Sequence, residues 1–519
     1  MPNVSFIRPE LAAVMPLYKK IRDCLSGSDK VKAAGIVYLP MPNEADKSPE
    51  NVTRYKGYKG RAVFYNVARR TLAGLSGQVF ARDPVSEIPD ALDIVETDAT
   101  GTGVSAAQQA KRLLNYALGY ARGGIYVDYP NTGEEGATKA ELNAGHLRPT
   151  ITVCDPNTVV NWRTIQVGAK TMLSLVVIAE TWPFYDDGFE IKHGCQFRVM
   201  ALDYETDENG NVVGETKYRV EIYREKSPTV WNGENIPKNK SFELKEGPFY
   251  PTGPDGANIE EIPFMFVGSE NNDTSVDNPP FIDLCELNLA HYRNSADYEE
   301  ACYVMGQPTY WFSGLTEEWM KNVLGGQIKL GSWGGVALPP NAQGGLLQMQ
   351  PNTMPFEAMG HKENQMVALG AKLVEQKSVQ RTATEAQQDE AAESSFLAAT
   401  AKNVSAAFEW AFGWCAFYMG LDESKIVYQL NTDFDLMKLS AADRAETIKE
   451  WQGGALTFAE MRAVLRKGGV ATEDDAEAKK KIDQEKADEI AAAAKAMGED
   501  PAANNNPTPS NVGKPTGGE

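Results

Sequence analysis

The chain is short of the residues that most often carry chemistry. Six cysteines are scattered over 519 residues, at positions 24, 154, 195, 285, 302 and 415, with no C-x-x-C pair. That dispersal argues against a redox dithiol or a thiolate metal site and predicts isolated, buried thiols. Four histidines, at 146, 193, 291 and 361, stand alone, with no H-x-x-x-H pair to bind zinc. There is no G-x-x-x-x-G-K-[ST] phosphate loop, and Gly74-Leu-Ser-Gly77 has the wrong spacing for a nucleophile elbow. No catalytic residue, cofactor or metal is therefore expected. No run of 18 apolar residues exists, so no membrane span is expected either. The first ten residues lack the basic-then-apolar order of a secretory signal, which predicts a chain made and kept in a cytosol-like compartment. Positive charge is scarce as well: 51 Lys+Arg against 71 Asp+Glu give a net charge of −20. Proteins that grip nucleic acid by counterion release are normally basic. The deficit argues against tight DNA binding but not against a surface over which DNA slides.

What is present is a mixed pattern. Residues 11–25, 55–80 and 106–121 read as helices. Strand signals dominate from about 124 to 270, as in Ile125–Tyr129, Thr150–Cys154 and Leu173–Ile178. Phe197–Leu202 and Lys217–Tyr223 flank Asn209-Gly210, a turn signal that predicts a long two-stranded ribbon. The acidic run Asp203–Gly210 resembles a calcium loop only faintly, because counting from Gly210 puts Thr216 in the twelfth position where glutamate is needed.

The most informative segment is Asp277–Gly306. It reads as one long helix, with Asn278 as cap, Pro279 and Pro280 in the first turn, and Gly306 and Pro308 as the stop. About 24 residues at roughly 1.5 Å each make a rod of about 36 Å. Phe281, Leu284, Cys285, Leu289, Tyr292 and Ala296 share one side. Asp283, Glu286, Arg293, Asp297 and Glu300 share the other. Such a rod suits a wall that faces something anionic without holding it. His291, mid-rod, suits a polar wall or an interface better than a metal.

A glycine-rich stretch follows at 306–356, with short strands such as Gln327–Leu330 and with Trp311, Trp319 and Trp333, which need burial; a small α/β insert fits. A second helix is expected at about 356–376, then a polar break, Lys377-Ser-Val-Gln-Arg381. Thr382-Ala-Thr-Glu385 then opens a third, very long helix with a capping box, running to Met419 with Val404, Phe408, Phe412 and Cys415 in its stripe. Residues 440–468 give two shorter helices around Gly453-Gly454. Asp443, Glu446, Glu450 and Glu460 weaken any reading of that pair as a DNA-reading helix-turn-helix. Arg69-Arg70 could clamp a phosphate but fits ion pairing on a packed helix better. From 471 the chain is charged, and its last twenty or so residues are expected to be disordered.

The order of parts resembles the portal (head-to-tail connector) protein of tailed bacteriophages, and more closely a portal family catalogued as a domain of unknown function. The residues that carry the likeness are Tyr58-Lys-Gly-Arg-Ala-Val-Phe-Tyr-Asn66, Gly119-Tyr-Ala-Arg-Gly-Gly-Ile-Tyr-Val-Asp-Tyr-Pro130, the Asp277–Glu300 rod and Thr382–Glu385. It spans roughly residues 10–470. The resemblance implies an α+β fold and a ring, typically of twelve subunits, at one capsid vertex, assembled in the host bacterial cytoplasm. Residues 1–275 and 385–420 would form a wing. Stem helices at 276–305 and 356–376 would surround the channel, with 306–355 as the clip. A tunnel loop at 377–384 and a crown at 421–470 complete the plan, followed by a tail at 471–519. The implied partners are other copies of the chain, double-stranded viral DNA passing without sequence preference, the terminase large subunit, the major capsid or scaffolding protein and a tail adaptor, with no membrane. A non-ring scaffold or adaptor, or a metal-dependent nuclease with scattered carboxylates, are the alternatives.

The residues themselves agree with a conduit. From Pro280 to Glu385 there are seven Lys/Arg and eleven Asp/Glu. Each strong phosphate contact adds affinity and would stall a moving duplex. Asp283, Glu286, Asp297 and Glu300 are the candidate acidic face, turned to the channel or to the outer rim of the stem. Lys372, Lys377, Ser378, Gln380 and Arg381 are the candidate tunnel-loop contacts. Lys372, Lys377 and Arg381 could guide DNA or could offset the C-terminal dipole of the second stem helix.

Overall fold

The computed structural model describes residues 3–130, 147–208, 212–237, 240–307, 309–328, 336–347, 352–370, 383–423, 425–432, 434, 441–467, 471, 477–485 and 487, with the backbone path alone at 383–395 and 441–443. Four helices open the chain: α1 (Pro9–Ser26), α2 (Ser28–Ala33), α3 (Pro49–Arg61) and α4 (Val67–Val79). The single helix expected over 55–80 is two. Ala62 leaves the helical region at ψ 136°, and Asn66 restarts it by accepting the Arg69 N–H at 3.0 Å. A side chain that caps a new helix competes with continuing the old one. Strand β1 (Val85–Glu87) and helices α5 (Asp93–Thr97) and α6 (Ala106–Tyr120) follow, α6 with a Ser105/Gln108 capping box.

Next come strands β2 (Arg122–Asp128), β3 (Thr150–Cys154), β4 (Val159–Val167), β5 (Lys170–Asp186), β6 (Ile191–Thr206), β7 (Val212–Glu225), β8 (Phe242–Phe249) and β9 (Phe264–Gly268). They form two antiparallel sheets, a three-stranded β3-β2-β9 and a five-stranded meander β4-β5-β6-β7-β8. The expected ribbon is thus not two-stranded. β6 and β7 do pair from Gln196↔Arg224 to Thr206↔Val212, but β5 and β8 flank them. Asn209-Gly210 lies outside the described residues. Alternation along these strands covers both faces. Val176 and Met200 join the main core with Tyr18, Phe266, Leu284 and Tyr292, while their neighbours Val177 and Val199 join a second core with Phe197, Trp231 and Phe242.

The Gly119–Pro130 stretch has a structural explanation. Ala121 ends α6 in the left-handed region at φ 56°. A Cβ on Gly123 would sit 2.6 Å from the Leu113 methyl, and one on Gly124 would sit 2.7 Å from the Phe264 ring. Just before them lies Arg122, buried against Trp162 and Phe266, with its guanidinium carbon 4.3 and 3.8 Å from their centroids. Burial pushes its pKa down to about 10. It donates to the carbonyls of Thr274 and Ser275, and so ties the linker before the rod to the three-stranded sheet.

The second half holds the rod α7 (Ile282–Met305), strand β10 (Thr309–Ser313), helix α8 (Glu317–Asn322), strand β11 (Gln343–Leu347), helix α9 (Met354–Ala368), the long helix α10 (Ala383–Met419) and strand β12 (Val427–Gln429), which pairs with β1. Asn403 fixes α10 to the sheet end: its Nδ2 donates to Gly268 O at 3.1 Å, and its carbonyl accepts from Asn272 at 2.9 Å. Phe408 and Phe412 pack on Tyr428. Residues 433–519 form a separate unit, in which α11 (Ala441–Gln452) and α12 (Phe458–Lys467) give the expected helix pair. Thr382 and the expected disordered tail lie outside the described residues. Among the described residues no helix is long and apolar enough to cross a membrane.

Candidate functional site: the rod and its exposed end

The rod begins later than expected. Its first helical residue is Ile282, Phe281 occupies the capping position, and no side chain caps it. Pro280 keeps Pro279 out of the helical region, so Asn278 cannot serve. The apolar side is as expected: Phe281, Leu284, Cys285, Leu289, Tyr292 and Ala296 are all buried.

The other side is not a free acidic wall. Glu286 pairs with Lys20 of α1 at 2.7 Å. Asp297 accepts the Tyr58 hydroxyl at 2.7 Å. Glu300 is held by Arg61 and lies 3.7 Å from Arg54, both on α3. Arg293 Nε donates to Tyr38 O at 3.0 Å. Of the four candidate carboxylates, Asp283 is exposed and lies outside this set of partners.

These contacts form a seam. The stretch 58–67 runs antiparallel to the rod. Tyr58 meets Asp297, the Val63 N–H donates to Ser295 Oγ at 3.1 Å, Phe64 packs edge-on against Tyr292, and Tyr65 lies beside His291. Asn288 closes it. Fully buried, its Oδ1 accepts the N–H groups of Val67 and Ala68 at 3.1 and 3.2 Å, and its Nδ2 donates to Tyr65 O at 2.6 Å. A side chain of one helix thereby supplies acceptors to the first turn of another, whose N–H groups have no partner within α4. Burial, then the bond to Asp297, pushes the Tyr58 hydroxyl well above its usual range. Sequence reasoning passed over Asn288 and Arg122. An Asn amid an apolar helix stripe was the one available signal for the first.

Helix α9 packs antiparallel to the rod. Tyr298 meets Phe356 at 5.9 Å, and about two turns back along the rod His291 Nε2 lies 3.1 Å from Glu363 Oε1. His291 is buried, so it serves an internal interface between the two helices. The residues expected at 371–376 of this second helix lie outside the described residues. So do Lys372, Lys377, Ser378, Gln380 and Arg381.

The insert between α7 and α9 is small. β10 and β11 form a hairpin in which Trp311 faces Gly345 and Phe312 faces Gly344. A Cβ on those glycines would come within 2.9 and 2.8 Å of the two rings. The glycines are there to let flat rings lie across the hairpin. Gln327-Ile328 is not a strand. The expected burial of Trp311 and Trp319 is not met, and Trp333 lies outside the described residues. Trp311 is 44 % exposed, and Trp319 is half-buried with its Nε1 bonded to Ala337 O at 2.9 Å. A hairpin and one short helix cannot enclose such rings. Leu347, Met354 and Phe356 are 68, 73 and 61 % exposed in the same region.

All six cysteines are free thiols, and Cys302 alone is exposed. Among the described residues no group of three or more His, Cys, Asp or Glu is arranged to hold a metal.

Residues 280–419 match a family described as a domain of unknown function, DUF4055. That span runs from the start of the rod to the end of α10. No curated protein matches the sequence. Many solved chains resemble the structure, two of which are the following. One comes from the virion of a native gene transfer agent particle, with 12 % identity over 84 % of this chain and 98 % of that one, at a TM-score of 0.39. The other comes from the neck of an empty gene transfer agent particle computed with C6 symmetry, with 14 % identity over 85 % and 98 %, at 0.41. Scores of that size carry no argument about fold or role.

Proposed function

We propose that the chain is a portal subunit of a tailed-phage-like particle. It would assemble into a ring at one capsid vertex, through which double-stranded DNA is packaged by a terminase and later ejected, and to which a tail or adaptor attaches. One observation carries this reading: an antiparallel helix pair, α7 and α9, leaves a packed α/β body and holds a small insert with exposed aromatic and aliphatic side chains. A stem that supports a docking tip needs that division. Its near end must be rigid, and its far end must keep apolar surface for partners.

The seam refines how such a stem would meet DNA. Glu286 and Glu300 face cations within the subunit, and Asp297 accepts the Tyr58 hydroxyl. Asp283 and Glu299 of the rod, with Glu357 of α9, are the acids left for a channel wall. Local cations would then fall to the tunnel loop, with Arg381 foremost.

The test is the mass of the purified full-length chain together with negative-stain images. Closed rings of about twelve subunits around an open hole are expected. A persistent monomer with metal-dependent nuclease activity would overturn the reading, and a small open oligomer that binds a virion protein would favour an adaptor. Arg381→Glu should leave rings intact while changing packaging or DNA retention. Normal packaging in that variant removes the guiding role.

A further inference from the structure

The sheet carries a feature that neither the rod nor the insert uses. β4 pairs with β5 only between Lys170 and Ile178, and β7 pairs with β6 only between Gln196 and Thr206. Beyond those limits, Thr181–Asp186 and Ile191–Cys195 pair with each other; their base is covered, with Cys195 buried and the Trp231 N–H donating to His193 O at 2.8 Å, and past it no third strand pairs with them among the described residues. The result is a two-stranded arm. Its tip is a built turn. Gly188 takes φ 86°, the Gly188 N–H donates to Asp186 Oδ1 at 2.8 Å, and Asp187 Oδ1 accepts the N–H groups of Phe189 and Glu190 at 2.9 and 2.6 Å. Those two N–H groups hold the Asp187 carboxyl below its usual pKa, so the tip stays anionic. Phe189 stands on this turn at 101 % exposure, among Asp186, Asp187 and Glu190, with Lys192 the one cation between 183 and 192. A fixed turn that presents a bare phenyl ring is a poor solution for a free surface and a good one for an anchor.

A surface of opposite character lies on the same chain. Residues 28–61 hold seven Lys/Arg against four Asp/Glu, in a protein of net charge −20; Arg54 and Arg61 face Glu300 and Lys30 pairs with Glu234, which leaves Lys32, Lys47, Lys56 and Lys59. Within them, Ile36 and Val37 are 62 and 70 % exposed on a turn strapped along α3. Lys32 Nζ donates to Gly60 O at 2.9 Å on one side of that turn, and the Tyr55 hydroxyl donates to Leu39 O at 2.7 Å on the other. Exposed Lys56 and half-buried Lys59 lie on the helix stretch between those two points. The patch is apolar at its centre and cationic around it, which complements an acidic tip with an apolar centre.

We propose that the Phe189 tip of one copy docks on the Ile36–Val37 patch of a second copy, as a head-to-tail contact. This rests on the proposed ring, in which each subunit must offer one surface and accept another. The contact needs no residue of the rod, the insert or the tunnel loop.

The experiment uses the full chain with Cys302 replaced by serine. Glu190→Cys and Val37→Cys are made in one chain, and separately in two chains that are co-expressed. A short bis-maleimide is added, and the masses of the products and of the native particles are measured. The double variant should give a ladder of covalent multimers, and the co-expressed pair should stop at dimers. Phe189→Ala should weaken association by about tenfold or more. Glu190→Lys and Lys56→Glu should each weaken it, and together recover part of the loss. No adduct between chains, or an adduct confined within one chain, overturns the contact. Oligomers without an interchain adduct sink the contact and leave the ring standing. Monomers without an adduct sink both.

Discussion

The two ends of the rod solve opposite problems with the same helix. From Ile282 to Glu300, the side chains of Glu286, Asn288, Ser295, Asp297 and Glu300 find partners on α1, on α3 or on the segment after it. Beyond Ala301 the helix emerges, and Cys302, Tyr303 and Val304 are exposed, as are many apolar residues of the insert it leads to. The first half spends its chemistry on stability. The second half leaves surface uncovered, which costs the monomer solubility and is recovered only when something binds there. Substitutions at the two ends should therefore separate folding from association.

The largest folding effect is expected at Asn288. Asn288→Ala leaves the buried Ala68 N–H without an acceptor and takes one of two partners from the Val67 N–H and the Tyr65 carbonyl, which still bond each other at 2.9 Å. It should cost about 3 kcal/mol in chemical denaturation. A loss below about 0.5 kcal/mol would show that the seam does not hold the rod, and the contrast between the ends would fail.

Next comes the Arg61–Glu300 pair, which is mostly shielded from solvent and has Arg61 stacked 4.0 Å from the Tyr303 ring. A double-mutant cycle of Arg61→Ala and Glu300→Ala should give a coupling of about 1 kcal/mol. Coupling near zero would make the pair a surface accident.

Tyr292 tests the same half through pH. Burial pushes its hydroxyl up to about 12, and that hydroxyl has no hydrogen-bond partner. The unfolded hydroxyl ionises near 10, so the unfolded state loses the proton first and stability falls as pH rises from about 10 to 12. Tyr292→Phe should change stability at pH 7 by less than about 1 kcal/mol and soften that alkaline loss. An unchanged alkaline profile would assign the loss to other groups, such as Tyr18, which is also pushed up to about 12.

The smallest folding effect belongs to the exposed end. Leu347→Ser and Phe356→Ser should each shift stability by less than about 0.5 kcal/mol, while reducing ring formation or capture of a tail or packaging partner. A large stability loss there would mean that the insert is part of the core, and the two ends would no longer differ in kind.

Periodicity made much of this legible. All six apolar rod residues were readable, because a 3.6-residue repeat is local and a core needs it. The α6 helix, the five strands read at 125–129, 150–154, 173–178, 197–202 and 217–223, and the helix pair of the second unit were legible for the same reason. The α3–α4 break was misread because a helix propensity holds across 62–66, while the decision there belongs to Asn66 and to Asn288, which arrives from 220 residues away. The tryptophans of the insert were misread because an aromatic residue signals burial only if enough chain surrounds it, and that enclosure is not written in its own segment.

The charged side of the rod draws the line most clearly. The sequence by itself determined that Asp283, Glu286, Asp297 and Glu300 share a face, since helical spacing alone decides that. It could not determine what the face meets. Lys20 lies 266 residues before Glu286, and Arg61 lies 239 before Glu300. Charges attract whatever folding brings near them, regardless of separation along the chain. The tertiary structure alone turned an apparent acidic wall into a seam bonded within the subunit, with Asp283 left outside it, because only packing decides which partners a helix face receives.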